Sequence, residues 1–487
     1  MKKSIAFLLA AATILTGCGT KSVSKNESGV SSGGTGSDKP AEDIVLTIAY
    51  STKPNEAMQE LIDRFNAEDN GVRVEVKSYC NEQAFTSDIQ QQVDFDVTQE
   101  LINKDTIDLV GTFSFGNAAK FEIFKRKGGF VDLYKFMEDD PEVNSDTLNS
   151  HILGLCERDG KLYSIPTYYW AETMISKAEY GGTTPNWTID EFIEHWDNMP
   201  AGSTVNWSTV SEGIYYDVLR ANTPYFVDYK NCEVHFDDPD FRELLEFCGR
   251  FDSNMGHKSD DDVVDGNPQL VQNLRLTDYE KALVEEHDSA LNAVAFPHLN
   301  DGSYTLVGFP TSGRDGAFLC GMEECAIRAN ISEEKQQAAW KFLREFYRED
   351  YQFEHYARHN DVQTPEGKVV QFEFKGGFPI NNAARKRIAE GTINDAYLSD
   401  YLKEGSLRFG GAEPATFLTD RKITQADIDF IDEYMDSIDR WECSAIDSEL
   451  FKIIEEEVGA YLHGEQDADA TVDHIQSRAT IWISEQA

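Results

Sequence analysis

The apolar positions of residues 44–110 switch between the period of strands and the period of helices. Residues 44–50 form an apolar β run, and residues 72–76 carry valine at every second position. Between them lies a one-sided helical stripe made by Met58, Leu61, Ile62 and Phe65. A third apolar run, at residues 106–110, follows a second stripe of Phe85, Ile89 and Val93. The order β-α-β-α-β predicts an α/β fold with a doubly wound parallel sheet.

Ligands of doubly wound sheets lie beyond the carboxyl ends of the strands. The sequence predicts those ends at residues 50–55, 77–81 and 111–116. The candidate ligand-binding side chains at these ends are Thr52, Tyr79, Phe113 and Phe115. Phe113 and Phe115 share a face if the chain is extended there, although only one of them need reach the ligand.

Residues 161–177 are a second region of interest, because an extended run ending at Pro166 precedes three adjacent aromatic residues. Proline cannot donate to a sheet ladder, so Pro166 is expected at a strand end or in a crossing segment. Tyr168 and Trp170 share a face in an extended chain, which makes them candidate ligand platforms. Tyr169 points the other way and is expected to pack, unless a local turn brings it into the site. The alternative is a strand buried on both faces, with all three rings in the core.

Two later segments have the same proline-ended character. Residues 304–310 form the second passage, and residues 376–379 form the third. The loop after the second passage carries Arg314 and Asp315, which suit ligand hydroxyls as a donor fork and an acceptor. The alternative for these two residues is a surface ion pair of little energy.

Two tryptophans in the middle of the chain receive different interpretations. Trp207 lies in a stretch rich in glycine and aromatic residues and is a further ligand candidate. Trp187 precedes Thr188, a plausible N-cap for a helix over residues 188–199. We therefore expect Trp187 to staple the start of that helix rather than to bind a ligand.

The chain begins with a secretory signal. Lys2 and Lys3 give a basic start, and the apolar core over residues 5–15 is too short to span a bilayer. The sequence Leu15-Thr16-Gly17-Cys18 resembles the lipobox of a bacterial lipoprotein signal. The resemblance implies removal of residues 1–17 and lipidation of Cys18, which would hold the protein outside the cytoplasm on the bacterial cell membrane. The alternative is an ordinary secretory signal with a chance cysteine.

Residues 18–43 are expected to form a flexible tether after the lipidated cysteine. They are rich in Ser, Gly, Lys, Asp and Thr and lack the apolar residues that offset chain entropy. The rest of the chain is long enough for two lobes of ~200 residues each. No other apolar run approaches the ~20 residues that a membrane-spanning helix needs.

The formal net charge of −43 excludes some partners. Such a surface repels nucleic acid and anionic lipid, and it disfavours anionic ligands. Besides Cys18 there are seven cysteines without a Cys-x-x-Cys pair, so we expect most to be small buried hydrophobes. Bridges between Cys320 and Cys325 or between Cys232 and Cys248 stay open.

Motifs for catalysis, cofactors and metals are absent from the sequence. It has no Walker loop, no His-Glu-x-x-His and no Gly-x-Ser-x-Gly. The ten histidines do not pair at metal-ligand spacing, and 87 acidic residues make carboxylate pairs uninformative. The acidic loop at residues 260–265 lacks EF-hand spacing, so a solvated loop is favoured over a calcium site. We expect no enzyme activity, cofactor or metal.

Several blocks, taken in order, resemble the extracellular solute-binding proteins of carbohydrate ABC transporters, the group that includes maltose-binding protein. The blocks are Phe130-Val131-Asp132-Leu133, Leu162-Tyr163-Ser164-Ile165-Pro166, Trp187-Thr188-Ile189-Asp190-Glu191-Phe192, Val307-Gly308-Phe309-Pro310, Ala326-Ile327, Ala339-Trp340-Lys341-Phe342-Leu343, Glu465, Ile475-Gln476-Ser477-Arg478 and Glu485-Gln486. One block departs: a Tyr-Asn-Lys-like strand is replaced by Met174-Ile175-Ser176-Lys177. Ligand contacts near that strand are therefore less transferable.

The resemblance implies a two-lobe periplasmic-binding-protein-like fold with three hinge crossings. We expect residues 44–165 and 305–360 to form lobe 1, and residues 166–304 and 376–487 to form lobe 2. It also implies a monomeric protein that captures a sugar or oligosaccharide and delivers it to the permease subunits of an ABC transporter. The alternatives are a secreted glycoside hydrolase and a surface adhesion lipoprotein.

Overall fold

The structure is a computed structural model that describes most of the chain after residue 42. The described residues are 43–81, 86–104, 106–177, 185–198, 204–206, 216–250, 269–276, 304–356, 359–363, 369–373, 377–393, 424–443 and 445–485. The predicted signal, the lipidated Cys18, Trp207 and the acidic loop at residues 260–265 lie outside them. In chain order the strands β1 to β14 span Ile44–Tyr50, Val72–Ser78, Leu109–Gly111, Tyr168–Lys177, Thr204–Asn206, Val227–Asp228, Glu233–Val234, Gln269–Leu276, Tyr304–Leu306, Phe318–Met322, Cys325–Ile327, His359–Gln363, Val369–Glu373 and Phe378–Pro379.

The α-helices of the described residues are numbered in the same way. Helices α1 to α14 span Glu56–Ala67, Ser87–Asn103, Ala119–Arg126, Tyr134–Met137, Ser150–Cys156, Ile189–Asp197, Tyr216–Phe226, Pro239–Cys248, Glu333–Leu343, Glu349–Tyr356, Asn382–Ile393, Gln425–Asp436, Ser448–Leu462 and Ala468–Glu485. Two short 3₁₀ turns, Thr112–Ser114 and Arg344–Tyr347, extend β3 and α9. None of the described helices is long and apolar enough to cross a membrane.

The first lobe is built on a four-stranded sheet in the order β11-β3-β1-β2. β1 pairs in parallel with β2 and β3, and β11 joins the edge antiparallel to β3. This pairing confirms the predicted doubly wound arrangement. Helix α1 begins at Asn55, whose Oδ1 accepts a hydrogen bond from the Met58 amide at 2.8 Å. Its predicted stripe is buried, and each such side chain contributes ~1.5–3 kcal/mol when fully buried.

The second sheet is centred on β4, which pairs with β10 on one edge and with β8 on the other. β5 continues the sheet beyond β8, and the short strands β9 and β14 also pair with β4. Residues 162–166 lead directly into β4. The three passages predicted from proline-ended segments therefore all meet at this one strand.

The second crossing lies later in the chain than the sequence predicted. β10 belongs to the second sheet through its pairing with β4, whereas β11 belongs to the first sheet. The chain therefore passes between the sheets at residues 323–324, and the segment 305–360 predicted for lobe 1 includes two strands of the second sheet. Pro310 ends an extended run, but the chain does not pass from one sheet to the other there. The pairing of a strand, rather than a proline at its end, decides to which sheet the strand belongs. The other lobe boundaries stay predictions.

Helices of the second lobe begin at local caps and bury apolar stripes. Thr188 and Glu191 form a reciprocal capping box at the start of α6, and Trp187 contacts Phe192 with ring centroids 5.2 Å apart. This is the predicted staple. The stripes of α13 and α14 share one core cluster, formed by Leu450, Ile454, Val458, Val472, Ile475, Ala479 and Trp482. The seven cysteines of the described residues are free thiols, so neither suggested bridge forms.

Candidate functional site

One of the predicted strand-end residues of the first lobe is a core residue, and the other three are partly exposed. Thr52, Tyr79 and Phe113 are half-buried, whereas Phe115 is 3% exposed and belongs to the core. Residues 112–114 form a 3₁₀ turn, so the alternation expected of an extended chain does not apply. Phe113 stacks on Tyr50 at 4.4 Å. The expectation that Phe115 faces a ligand is therefore wrong for this structure.

The three aromatic residues of β4 are mostly core residues. Tyr168 and Trp170 share a face as predicted, with ring centroids 6.0 Å apart, but Trp170 is only 3% exposed. Its indole N–H donates to Glu172 Oε1 at 2.7 Å. Tyr169 is fully buried on the other face, where its hydroxyl accepts from Asn149 Nδ2 at 3.1 Å. β4 lies inside its sheet, so the alternative of a doubly buried strand holds for Tyr169 and Trp170, while Tyr168 is half-buried and Trp170 presents no platform.

Arg314 and Asp315 follow the alternative weighed for them. Arg314 forms an ion pair with Glu191 at the surface. Asp315 accepts hydrogen bonds from Thr311 Oγ1 at 3.0 Å and from Arg440 Nη1 at 3.1 Å. Asp315 also hydrogen-bonds Tyr225, and that contact, after burial, raises the pKa of the Tyr225 phenol. Asp315 therefore fixes the position of the Tyr225 hydroxyl.

Tyr225 faces a cavity of about 570 Å³ between the lobes, which we call the interlobe cavity. Helix α3 of the first lobe forms one wall, and α7, the β6–β7 turn and residues 441–446 form the other. Its aromatic and charged lining residues are Glu122, Arg126, Arg158, Arg220, Tyr225, Asp228, Tyr229, Lys230, His235, Trp441 and Glu442. A concave site with a few convergent polar groups and aromatic rings has the character of a ligand pocket.

A larger hollow of about 660 Å³ runs along α2 and α3. It exposes the side chains of Phe95 and Ile102, by 59% and 65%. The interlobe cavity brings together more aromatic rings and charged groups from both lobes than the hollow along α2 and α3 does. We therefore take the interlobe cavity as the candidate ligand site.

Aromatic rings of the interlobe cavity are held by neighbours behind them. The Arg126 guanidinium lies 4.1 Å from the Tyr229 ring centroid, and Trp482 contacts the same ring at 5.9 Å. Trp441 is half-buried and lies against Gly321, where a Cβ would come within 2.7 Å of the indole. Only glycine leaves room for the indole at this point. The rings are therefore fixed in place before any ligand arrives, which lowers the entropic cost of binding.

The first-lobe wall of the cavity rests on a buried charge network. Lys125 Nζ forms ion pairs with Glu122 and, at 2.8 Å, with Glu324. Ser164 Oγ donates to the same Glu324 carboxylate at 2.5 Å. Burial alone would lower the pKa of Lys125, but attraction to Glu122 and Glu324 outweighs it and raises that pKa. The network connects α3 to the segments before β4 and before β11, where the chain passes between the sheets.

Comparison with known proteins identifies the family. The profile of bacterial extracellular solute-binding proteins matches residues 60–362. The chain belongs to that family. Members bind solutes rather than transform them, so this is a binding protein of the extracytoplasmic space and not an enzyme. The resemblance to extracellular solute-binding proteins drawn from the sequence is confirmed.

One solved structure agrees with this assignment at the level of the fold, and two others show a weaker similarity. A periplasmic oligogalacturonide-binding protein from Yersinia enterocolitica matches with a TM-score of 0.52 at 12% identity, covering 91% of this chain and 100% of that one. The sugar-binding MalE of Xanthomonas citri matches with a TM-score of 0.49 at 12% identity, covering 91% and 98%. Maltose-bound MalE3 from T. maritima matches with a TM-score of 0.46 at 13% identity, covering 90% and 100%. No curated protein sequence matches.

The lobes of this solute-binding protein touch each other beside the cavity. Lys120 Nζ of α3 lies 3.0 Å from Asp447 Oδ2 in the second lobe. Asn117 Nδ2 donates to the Ile446 carbonyl at 3.0 Å, and Arg126 stacks on Tyr229. Residues of both lobes therefore surround the candidate site.

Sequence reasoning missed the aromatic residues of the solute-binding cavity. Tyr225, Tyr229 and Trp441 come from two segments more than 200 residues apart, so no local period connects them. Trp441 did carry a signal, since it stands in a short link between two helical stripes with a charged residue on either side. A large aromatic in such a link is seldom a core residue of either helix.

Proposed function

We propose that this protein captures a sugar or oligosaccharide in the interlobe cavity and delivers it to the permease of an ABC transporter. The observation that carries the proposal is the convergence of Tyr225, Tyr229 and Trp441 on one enclosed space between the lobes. Saccharide rings present apolar faces and many hydroxyls. Aromatic rings cover such faces, and the charged side chains beside them pair with hydroxyls.

The polar groups of the first-lobe wall suit hydroxyl recognition. Glu122 Oε1 is held by Lys125, while Glu122 Oε2 is buried without a hydrogen bond in the described residues. Arg158 Nη2 lies 3.9 Å from that oxygen, which is beyond hydrogen-bonding distance. A ligand hydroxyl between them would donate to Glu122 and accept from Arg158. A buried acceptor left without a donor costs ~1–3 kcal/mol, so filling it supplies affinity and selectivity.

Delivery to a permease would follow from hinge closure. A ligand that contacts α3 on one side and residues 225–229 and 441–446 on the other binds the closed arrangement more tightly than an open one. The chain passages between the sheets lie together at the start of β4, where Met322 and Pro379 both pair with Tyr168, and this supports a hinge there. We also propose that lipid at Cys18 tethers the protein to the membrane, which would keep the loaded form near the transporter. Thr52, Tyr79, Phe113, Tyr168 and Trp207 stay proposals from the sequence, although the first four do not line the interlobe cavity.

The test is a thermal-shift screen of the purified protein against neutral and acidic mono- to tetrasaccharides, with amino acids and dipeptides as the competing class. A ligand at 100 times its Kd stabilises the folded state by ~2.7 kcal/mol. We expect a saccharide to give the largest shift and Trp441→Ala to abolish it. Phe95→Ala is the matched control, because it removes an exposed ring outside the cavity. A shift by amino acids alone would contradict the proposal.

A further inference from the structure

Arg126 is the most exposed cation of the first-lobe wall. Its guanidinium stacks on Tyr229 at 4.1 Å, and no carboxylate among the described residues lies within 4.0 Å of it. Stacking occupies the flat face of a guanidinium and leaves the N–H donors at its edge available. The side chain is therefore held at the cavity, with a donor fork that forms no ion pair within 4.0 Å with a described carboxylate.

Two further cations of the interlobe cavity are also weakly compensated. Lys230 follows the β6 strand and has no ion-pair partner among the residues that the structure describes. Arg158 reaches its nearest carboxylate, Glu122, only at 3.9 Å, and its Nη1 donates to the backbone carbonyls of Leu155 and Glu157. Arg220 differs, because Glu172 balances it at 2.7 Å.

The carboxylates that line the cavity are engaged by protein groups. Glu122 is paired with Lys125, and Glu442 accepts from Arg440 Nε at 2.7 Å. Asp228 accepts from the backbone amide of Lys230 at 2.9 Å and from that of its neighbour Asn231 at 3.0 Å. Each of these acids thus accepts a hydrogen bond or an ion pair from the protein, whereas Arg126 and Lys230 form no ion pair with a described carboxylate.

We propose that the preferred solute is a saccharide that carries a negative charge, a uronate or a sugar phosphate, and that Arg126 binds its anionic group. This inference rests on the proposed function, since it names the class of saccharide for the same cavity. A guanidinium edge matches carboxylate and phosphate oxygens with two parallel hydrogen bonds. The neutral part of the ligand would use the Tyr225, Tyr229 and Trp441 rings and the Glu122 oxygen.

The charge of the whole chain makes such cations necessary for this ligand class. A net charge of −43 produces a field that opposes the approach of an anion. Sequence composition alone therefore disfavours an anionic ligand. Local cations without compensating acids offset that field over the few ångströms where binding occurs, and solvent ions screen the distant charges beyond ~8 Å. Arg126 comes from the first lobe and Tyr229 from the second, so an anion bound to Arg126 would also stabilise the contact between the lobes.

The experiment is titration calorimetry of the purified protein with matched neutral and anionic saccharides: maltotriose against trigalacturonate, and glucose against glucose 6-phosphate. We expect an anionic member to bind at least ~10-fold more tightly than its neutral counterpart, with affinity falling as salt is raised. Arg126→Ala should weaken the anionic ligand by ~10-fold or more, and by at least ~3-fold more than it weakens the neutral counterpart, because the neutral ligand loses only the support that Arg126 gives to Tyr229. Arg64→Ala, at an exposed position of α1, is the control and should change neither.

The outcomes separate this inference from the proposed function. Tighter binding of the neutral member, or anionic binding that survives Arg126→Ala, overturns the anionic assignment and leaves saccharide binding in place. Failure of every saccharide in the screen and in the titrations overturns both. Melting temperatures of the unliganded variants check folding, and Arg126 is exposed, so its replacement should leave them unchanged.

Discussion

Lys120 Nζ lies 3.0 Å from Asp447 Oδ2, and the two residues belong to different lobes. Asp447 is 1% exposed and also caps α13, where its Oδ1 accepts from the amide of Glu449 at 3.0 Å. Burial would lower the pKa of Lys120, but attraction to Asp447 outweighs it and raises that pKa. The pair therefore joins the wall of the ligand cavity to the start of a second-lobe helix.

Lys120→Met should favour separation of the lobes. The variant removes the ammonium and leaves the Asp447 carboxylate with its capping and indole contacts only. We expect the ligand to dissociate on the order of 10-fold faster, because the closed form loses a buried ion pair. Stopped-flow release of the solute found in the screen measures this rate.

The matched control for Lys120→Met is Lys335→Met. Lys335 pairs with the buried Asp108 at 2.8 Å, and both residues belong to the first lobe. That variant should lower overall stability without changing the dissociation rate. Equal dissociation rates in the two variants would show that the ion pair of Lys120 with Asp447 does not stabilise the closed form.

Asp94 should make stability fall as the pH rises from about 4 to about 6. Burial raises the pKa of Asp94 to about 6, despite hydrogen bonds from the Asn117 and Gly116 amides that lower it. The folded state therefore keeps a proton in this window that the unfolded state has lost, and stability decreases with increasing pH.

Asp94→Asn removes this titration and keeps an oxygen that can accept from the Gly116 amide. We expect the variant to match the parent near pH 4 and to exceed it near pH 7.5, by on the order of 1–2 kcal/mol. Urea unfolding at the two pH values makes the comparison. Parallel pH profiles for parent and variant would rule out Asp94 as the titrating group.

Trp170→Ala should damage the fold rather than the binding site. The ring is 3% exposed and packs with Met174, Phe318 and Cys320, so truncation leaves a cavity. We expect a loss of ~3–5 kcal/mol in the free energy of unfolding. Phe95→Ala, which removes an exposed ring, should change it by less than ~0.5 kcal/mol. If Trp170→Ala kept its normal stability but lost ligand binding, Trp170 would be a ligand-binding residue.

Cys18→Ala should release the protein from the membrane. The substitution removes the thiol that the Leu15-Thr16-Gly17-Cys18 sequence offers for lipidation. Detergent phase partitioning of cell fractions should find the parent in the membrane phase and the variant in the aqueous phase. If the variant partitioned into the membrane phase as the parent does, the proposal of a lipid anchor at Cys18 would be wrong.

Elements with a local cause were predictable from the sequence. The cap at Thr188, the staple of Trp187 on Phe192 and the helical stripe after Asn55 depend on residues within one or two turns. The parallel order of β1–β3 follows from alternating periods. These features need no knowledge of distant segments.

The site residues could not be predicted from the sequence, because their positions depend on contacts between distant segments. Trp170 is covered because β10 and helices of the second lobe, distant in sequence, pack around β4. Phe115 turns inward because residues 112–114 form a 3₁₀ turn that apolar spacing does not reveal. The cavity residues Tyr229 and Trp441 meet only after two crossings between the sheets.

A crystal structure of the protein with the saccharide selected by the thermal-shift screen tests the central claim most directly. We predict ligand density in the interlobe cavity, within 4 Å of Tyr229 and Trp441 side chains. An acidic ligand should place its charged group on Arg126. Density along α2 beside Phe95 and Ile102, with the interlobe cavity empty, would contradict the account.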